Sequence, residues 1–328
     1  MLLPIYFMQI SSDYIRLAFL GLPSINSLDD FSSISHLSKG LIYRLSKYSD
    51  KYYYEYEIPK KSGGIRKIAQ PSIELKAIQS WIYKCIIQRL SVSMACKGFE
   101  KGTNIADNAS PHIGANAVMT LDIEDFFPNI NVNQVWSVFR TVGYSPRIAA
   151  ILASICTFKG SLPQGSPASP KLANLICLRM DTRILGYVGK KGVIYTRYAD
   201  DLSFSSFSSA SLVRLIPLLK GIIKSEGFEL NKSKTRIFGL GRQHCITGLV
   251  VNDTEAGIGR KKFRCIRSKI HNLCKYPKDD IPKEKLSHVV GWLSFVNSVD
   301  IKRQKALNIY IQKLKVKYPG TGVELLST

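Results

Sequence analysis

Apolar residues recur along this chain in two rhythms, and the switches between them lay out its elements. Tyr52, Tyr54, Tyr56 and Ile58 repeat every second residue, Lys60-Lys61-Ser62-Gly63-Gly64 supplies a turn, and a return run carries Arg66 and Lys67 toward Gln70. That pattern predicts a hairpin over about 52–70 after an opening helical segment. Leu75, Ile78, Ile82, Cys85 and Ile86 fall at helical spacing and predict a helix with that side in the core. Met119 to Phe127 reads as a short strand entering a turn. Ser169 reads as an N-cap and Pro170 as the first helical residue, and Ala173, Ile176, Cys177, Met180 and Ile184 then mark one helix with a buried face. Val193–Tyr198 and Leu202–Phe207, rich in β-branched and aromatic residues, predict a second hairpin. Two late helices follow, with stripes Phe263, Ile266, Ile270, Leu273 and Leu307, Tyr310, Ile311, Leu314.

The second hairpin carries two adjacent acids, Asp200 and Asp201, at its turn. Neighbouring side chains on a strand point to opposite faces, but a turn can aim both the same way. A pair of carboxylates there suits Mg²⁺, which takes one or two of them and leaves room for substrate phosphates. A solvated Asp-rich turn fits these residues as well. Against that bland reading stands a third acid, Asp122, near the end of the strand in Leu121-Asp122-Ile123-Glu124-Asp125-Phe126-Phe127. Carboxylates from separate strands meeting at one point are what two-metal nucleotidyl transfer requires. Glu124 and Asp125 read as turn residues, with additional metal ligands as the other reading. Between the acidic segments lies Leu162-Pro163-Gln164-Gly165-Ser166-Pro167, stiffened by proline and open to close approach at Gly165. Its place in the order favours a substrate-facing Gln164, although a rigid connecting loop also fits.

Together these three segments, ending in Tyr198-Ala199-Asp200-Asp201, resemble the palm of a reverse transcriptase, and the bacterial retron type in particular. Asn108-Ala109-Ser110-Pro111-His112 is similar to the Asn-Ala-x-x-His element of retron enzymes. Ile246-Thr247-Gly248 stands where they carry Val-Thr-Gly, and Asn231–Thr235 resembles their lysine-bearing motif. The resemblance spans roughly residues 20 to 320. It implies an α+β, right-hand polymerase fold: an N-terminal helical segment over 1–50, fingers over 51–120 with part of 145–165, a palm with an antiparallel sheet over 121–250, and a basic helical thumb over 251–328.

Composition changes the picture by naming the partner's charge. The chain has 46 Lys+Arg against 24 Asp+Glu, a net +22, which attracts phosphate backbones. From Arg260 to Thr328 there are 16 Lys+Arg and 5 Asp+Glu, so this fifth of the chain holds a net +11 (16 − 5). Lys261, Lys262, Arg264, Arg267 and Lys269 flank one apolar stripe, and Lys302, Arg303, Lys305, Lys313, Lys315 and Lys317 flank the other. Basic helix faces are often simply solvated; after a polymerase palm, two in succession read as a thumb on duplex backbone. No apolar stretch reaches spanning length, so no membrane is expected, and the apolar start Met1–Met8 lacks a signal peptide's basic region. Seven cysteines without a C-x-x-C pair read as reduced thiols of a cytoplasmic protein, and five scattered histidines make a zinc site unexpected.

The resemblance also implies roles. Asp122, the Ile123 carbonyl, Asp200 and Asp201 would hold two Mg²⁺ ions. Phe126 and Phe127 would line the nucleotide site, with Phe127 matching the aromatic gate against a ribose 2′-OH, although core packing also fits Phe127. Arg66, Gln164 and Lys234 would contact the incoming dNTP, Tyr198 the primer end, and Thr247 and Gly248 the primer grip; a solvated hairpin is the other reading of Arg66. The reaction implied is synthesis of msDNA on a structured non-coding RNA, primed from a guanosine 2′-OH. A nearby-encoded effector protein, host RNase H and antiphage defence complete the expectation. Two alternatives are a reverse transcriptase of another bacterial lineage and a non-catalytic RNA-binding scaffold that restrains a toxin. The Asn108–His112 and Ile246–Gly248 elements speak against the first, and the intact acids against the second.

Overall fold

The structure is a computed structural model and describes residues 12–60 and 63–327, with side chains from Arg16 onward. The apolar start and the tip residues Lys61 and Ser62 of the first predicted hairpin lie outside the described residues. By its internal contacts the chain forms two units, each assembled from three stretches: 1–100, 122–187 and 217–233 in the first, 101–121, 188–216 and 234–328 in the second.

The first unit opens with helices α1 (Ser12–Phe19), α2 (Leu28–Ser35) and α3 (Lys39–Lys47). Ser27 and Ser38 cap α2 and α3 by accepting backbone N–H bonds. A hairpin of β1 (Tyr53–Pro59) and β2 (Ile65–Pro71) follows, in register from Tyr53 opposite Pro71 to Pro59 opposite Ile65. The predicted apolar face of this hairpin is not core: Tyr54 is 69% exposed and Tyr56 and Ile58 nearly half exposed, whereas Tyr53 is buried. Alternation identifies a face but not what covers it. Next comes α4 (Ile73–Cys85), whose Leu75, Ile78 and Ile82 are fully buried as expected.

Helix α5 (Ile105–Ala109) and strand β3 (Ala117–Glu124) come next in the chain. Helices α6 (Val132–Val142) and α7 (Pro146–Cys156) belong to the first unit, and α7 packs on α3, α4 and α6. The predicted helix after residue 169 is interrupted at Cys177 into α8 (Ser169–Ile176) and α9 (Leu178–Val188). Bonds from Cys177 N–H to the Ala173 carbonyl and from Asp181 N–H to the Cys177 carbonyl keep it nearly continuous, so Ala173, Cys177, Met180 and Ile184 all stay buried. Ser169 is not the cap. It is already helical, Ala168 precedes it without a side-chain cap, and the buried Ser169 hydroxyl has no hydrogen-bond partner.

Strands β4 (Ile194–Tyr198) and β5 (Asp201–Ser206), helix α10 (Ser209–Ser225) and the short strands β6 (Glu229–Leu230) and β7 (Arg236–Phe238) come next. The sheet order is β4-β5-β3-β6, with β7 also paired to β3. The pairs β4–β5, β3–β6 and β3–β7 are antiparallel. A small hairpin of β8 (Cys245–Ile246) and β9 (Leu249–Val250) leads into α11 (Gly259–Asn272), α12 (Lys283–Val299) and α13 (Ile301–Lys317). Ile266, Ile270, Leu293, Val296, Leu307 and Ile311 fill the core of the second unit. The seven cysteines are all free thiols.

Asp300, between α12 and α13, locks this core. Its carboxylate accepts from Ile258 N–H at 2.9 Å, from Arg303 N–H at 3.0 Å as a helix cap, and from the Arg303 guanidinium at 2.9 Å. A Cβ on Gly257 would lie 2.4 Å from Asp300 Oδ2 and 2.7 Å from Arg303 Nη1. Three bonds hold that carboxylate, so it cannot swing aside freely. Gly257→Ala is therefore expected to cost about 1–3 kcal/mol through overpacking, read as a lower urea midpoint. An unchanged midpoint would show that the carboxylate yields.

Candidate active site

The acid pair sits where the hairpin reverses. Tyr198 pairs with Asp201, leaving Ala199 and Asp200 as the two turn residues. Ala199 has φ 58° while Asp200 does not share a positive φ, the sign pattern of a II′ hairpin turn that glycine usually begins. An alanine in the left-handed region is strained, and such strain persists where neighbours over-determine the backbone. One neighbour is visible: buried Arg197 donates from Nη1 to the Ala199 carbonyl at 3.1 Å. Asp200 is half-buried and Asp201 exposed.

Asp122 lies two residues before the end of β3 and is 7% exposed. Its carbonyl accepts the Asn231 N–H at 2.8 Å, which ties the strand to the loop Asn231–Lys234. Asn231 Oδ1 in turn accepts from the Ser233 N–H and hydroxyl. Ile123 stands opposite Leu230 with its side chain buried. Asp125 takes φ 43° in the turn that follows. Among the described residues no group of three or more His, Cys, Asp or Glu side chains is gathered as a ready-made metal cage.

Behind the acid hairpin lies His112, wholly buried at the end of the Ser110–His112 turn. Its Nδ1 is 2.7 Å from Ser205 Oγ on β5 and its Nε2 is 2.8 Å from Thr196 Oγ1 on β4. Thr196 Oγ1 also donates to the Asn108 carbonyl at 3.2 Å. Since that hydroxyl's one proton goes to Asn108, it accepts from Nε2–H, and Nδ1 accepts from Ser205. Burial pushes the ring's pKa down to about 4, which keeps it neutral at physiological pH and leaves Nδ1 to accept. Asn108 takes part through its backbone; its buried side-chain amide has no partner at either atom.

A neutral histidine that takes a proton near pH 6.5 when unfolded contributes stability fully above that pH, and loses it as pH falls toward 4. The wild-type chain is expected to lose about 2 kcal/mol between pH 7.5 and 5 from this group. His112→Gln, which does not titrate, should show a correspondingly flatter dependence in urea unfolding. Parallel curves would remove His112 from the account of acid sensitivity.

In the first unit the proline-rich loop is fastened to β2 and α4. Ala69 N–H donates to the Gln164 carbonyl at 2.9 Å, and Ser166 Oγ donates to Gln79 Oε1 at 2.9 Å. Buried Gln79 also donates to the Tyr53 hydroxyl and the Ile155 carbonyl. Arg66 is exposed on β2 opposite Ile58. Phe126 is buried against Phe228 at 5.7 Å, whereas Phe127 is half-buried and faces Phe99 at 6.3 Å. Of the two rings, Phe127 is the one with surface to offer a ligand.

Thr247 and Gly248 form the two-residue turn between β8 and β9, and both have positive φ, 46° and 82°. A β-branched residue is a genuine outlier there. Thr247 Oγ1 donates to the Ile105 carbonyl at 3.3 Å, and the Gly248 carbonyl accepts from Lys262 Nζ at 3.2 Å. Lys234 is exposed in a turn just before β7. Further along the second unit, the lining of a groove of about 710 Å³ includes Arg242, Arg260, Lys261, Arg264 and Arg303, with Asp253 as its one acid. A second of about 320 Å³, sharing Arg264, is lined by Arg267, His271 and Tyr310, with the Arg267 guanidinium 4.4 Å from the Tyr310 ring centre. Cations beside an aromatic face suit phosphates and bases.

No helix among the described residues is long and apolar enough to cross a membrane. The family profile described as Reverse transcriptase (RNA-dependent DNA polymerase) matches residues 58–322. Retron Ec86 reverse transcriptase of Escherichia coli is 45% identical over 313 residues, covering 94% of this chain and 96% of that one. Retron Mx65 reverse transcriptase of Myxococcus xanthus is 31% identical over 90% of this chain and 73% of its own. Retron Mx162 reverse transcriptase of the same organism is 30% identical over 88% and 68%. The α+β architecture of helices and antiparallel sheet is accordingly a right-hand polymerase fold, and the chain belongs to the retron-type reverse transcriptases, which are RNA-directed DNA polymerases.

Proposed function

We propose that the chain copies a structured non-coding RNA from a guanosine 2′-OH, producing branched msDNA, with Asp122, Asp200 and Asp201 as its reactive carboxylates. The observation that carries the residue assignment is the sheet order: β3, which bears Asp122, and β5, which begins at Asp201, are neighbours. Three carboxylates and the Ile123 carbonyl are hard oxygen donors without histidine or cysteine, the set that suits Mg²⁺ with its retained waters and substrate phosphates. Asp122, the Ile123 carbonyl, Asp200 and Asp201 would hold two Mg²⁺ ions, which would supply activation of the attacking hydroxyl and stabilisation of charge on the departing pyrophosphate.

The chain's own groups do the rest. Arg66 and Lys234 bind the dNTP phosphates, Gln164 orients the nucleotide or template, Tyr198 places the primer end, and Thr247 and Gly248 hold the primer strand. In this reading fingers over 51–120 with part of 145–165, a palm over 121–250 and a thumb over 251–328 share the work, and the arginine-lined grooves hold RNA backbone. Phe127 sits under the sugar and excludes a ribose 2′-OH. Phe127→Ala is expected to lower discrimination against ribonucleotides by on the order of 10²-fold, measured as the ratio of kcat/KM for dNTP and NTP. An unchanged ratio would return Phe127 to packing.

The retron-specific steps rest on the family membership. They include trimming of the template by host RNase H, action with an effector protein encoded nearby, and a role in defence against phage in the cytoplasm. The test is the nucleic acid that copurifies from the native locus, compared between wild type and the Asp200→Asn/Asp201→Asn double variant. DNA joined to RNA through a debranchable bond, absent from the variant, is the expected result. Linear DNA without a branch would leave a polymerase and remove the 2′-primed reaction; RNA alone in both would favour a scaffold.

A further inference from the structure

The Asn108–His112 element has no chemistry in the reaction described above, yet its histidine is among the most completely enclosed polar groups of the chain. Its two bonds reach residues 84 and 93 positions away in sequence, one on each arm of the acid hairpin. Ser205 pairs with Ile194 and Thr196 with Ser203, so Thr196 and Ser205 are diagonal neighbours on one face of the hairpin. Each lies four residues from the acid pair, Thr196 before Asp200 and Ser205 after Asp201. Both are nearly fully buried, at 3% and 1% exposed. A bridge in this position ties one arm of the hairpin to the other, four residues behind the acid pair. The turn itself is strained at Ala199, so its shape depends on what the arms impose.

We propose that His112 is a positioning residue for nucleotide addition: its bridge between Thr196 and Ser205 sets the angle at which the hairpin presents Asp200 and Asp201. This rests on the reading that those two acids are part of the reactive centre. The Asn108 carbonyl completes the device by taking the Thr196 proton, which leaves only Nε2–H able to donate to Thr196 and so fixes the ring's tautomer. A residue that merely fills the core would need the ring's volume; one that positions the hairpin needs its donor and acceptor.

Three variants separate these roles. His112→Phe keeps a ring of similar size and removes both bonds, His112→Gln keeps one donor and one acceptor, and Ser205→Ala removes one bond with little change in volume. In primer extension on RNA, kcat is expected to fall about 10- to 100-fold in His112→Phe and Ser205→Ala, the range found when a group that orients a ligand is lost. KM for dNTP and affinity for RNA should change less than about twofold, since the step lost is chemistry and not binding. His112→Gln should recover part of kcat. Combining His112→Phe with Ser205→Ala should cost little more than His112→Phe alone, because both break one bridge.

A kcat unchanged in folded variants, with only the unfolding midpoint lowered, would overturn the proposal and make His112 a packing residue. So would His112→Phe outperforming His112→Gln. If His112→Phe does not fold, Ser205→Ala and His112→Gln decide the matter. The Asp200→Asn control keeps the two readings apart: if it retains activity, the acid assignment fails, whereas a dead control with an unaffected Ser205→Ala sinks only the positioning role.

Discussion

Asp200→Asn is expected to lower nucleotide addition on an RNA template by on the order of 10³-fold or more, the scale seen when a preorganised electrostatic group is removed from a reactive centre. The substitution is nearly isosteric and falls in a two-residue turn whose shape is held by Arg197 and by the pairing of Tyr198 with Asp201. Folding and RNA affinity should therefore survive, and the loss should appear in kcat. Asp122→Asn should behave alike, although Asp122 lies in a different stretch of chain. Equal losses at positions so far apart in sequence are what a shared site predicts. Retention of a tenth or more of wild-type kcat in either variant would be incompatible with it.

Gly165→Ala should be the most disruptive single change outside the acids. Gly165 has φ +138°, a backbone conformation that side chains rarely adopt, and a Cβ there would lie 2.5 Å from the Ala69 carbonyl oxygen. That oxygen belongs to β2, next to the N–H that bonds the Gln164 carbonyl. Backbone cannot rotate away as a side chain would, so either the strand or the loop must move. Strain and overlap together should cost roughly 2–4 kcal/mol, visible in urea unfolding. The displacement should also raise KM for dNTP, because Gln164 rides on the same loop. A loss below about 0.5 kcal/mol, the range of ordinary surface changes, would show that the loop is free of β2.

What the sequence revealed and what it hid divide along a physical line. The family was legible because the acid-bearing segments, the Leu162–Pro167 loop and the Asn108–His112 and Ile246–Gly248 elements stand in the order of a retron-type palm. The stripes of α4, α11 and α13 were legible because burial on one side of a helix imposes its period. The exposed face of β1 was not, because Tyr54, Tyr56 and Ile58 alternate as a core face would yet stay 69%, 45% and 43% exposed. Ser169 misled because serine before proline looks like a cap, yet here the helix starts one residue sooner. The left-handed backbones of Asp125, Ala199 and Thr247 carry no glycine to announce them. Nor could spacing reveal that His112 serves Ser205 and Thr196, or that Asn231 holds the Asp122 carbonyl, since both depend on contacts about ninety or more residues apart.

The claim on which the account turns is that Asp122, Asp200 and Asp201 hold the same divalent ions. The most direct measurement replaces Mg²⁺ with Fe²⁺ and maps where hydroxyl radicals generated at the bound iron cut the chain. Cleavage beside residue 122 and beside residues 200–201, competed away by Mg²⁺ and lost from both places in Asp200→Asn, is the result predicted. Cleavage at only one of the two places, or persisting at residue 122 in Asp200→Asn, would mean that the acids do not share a site.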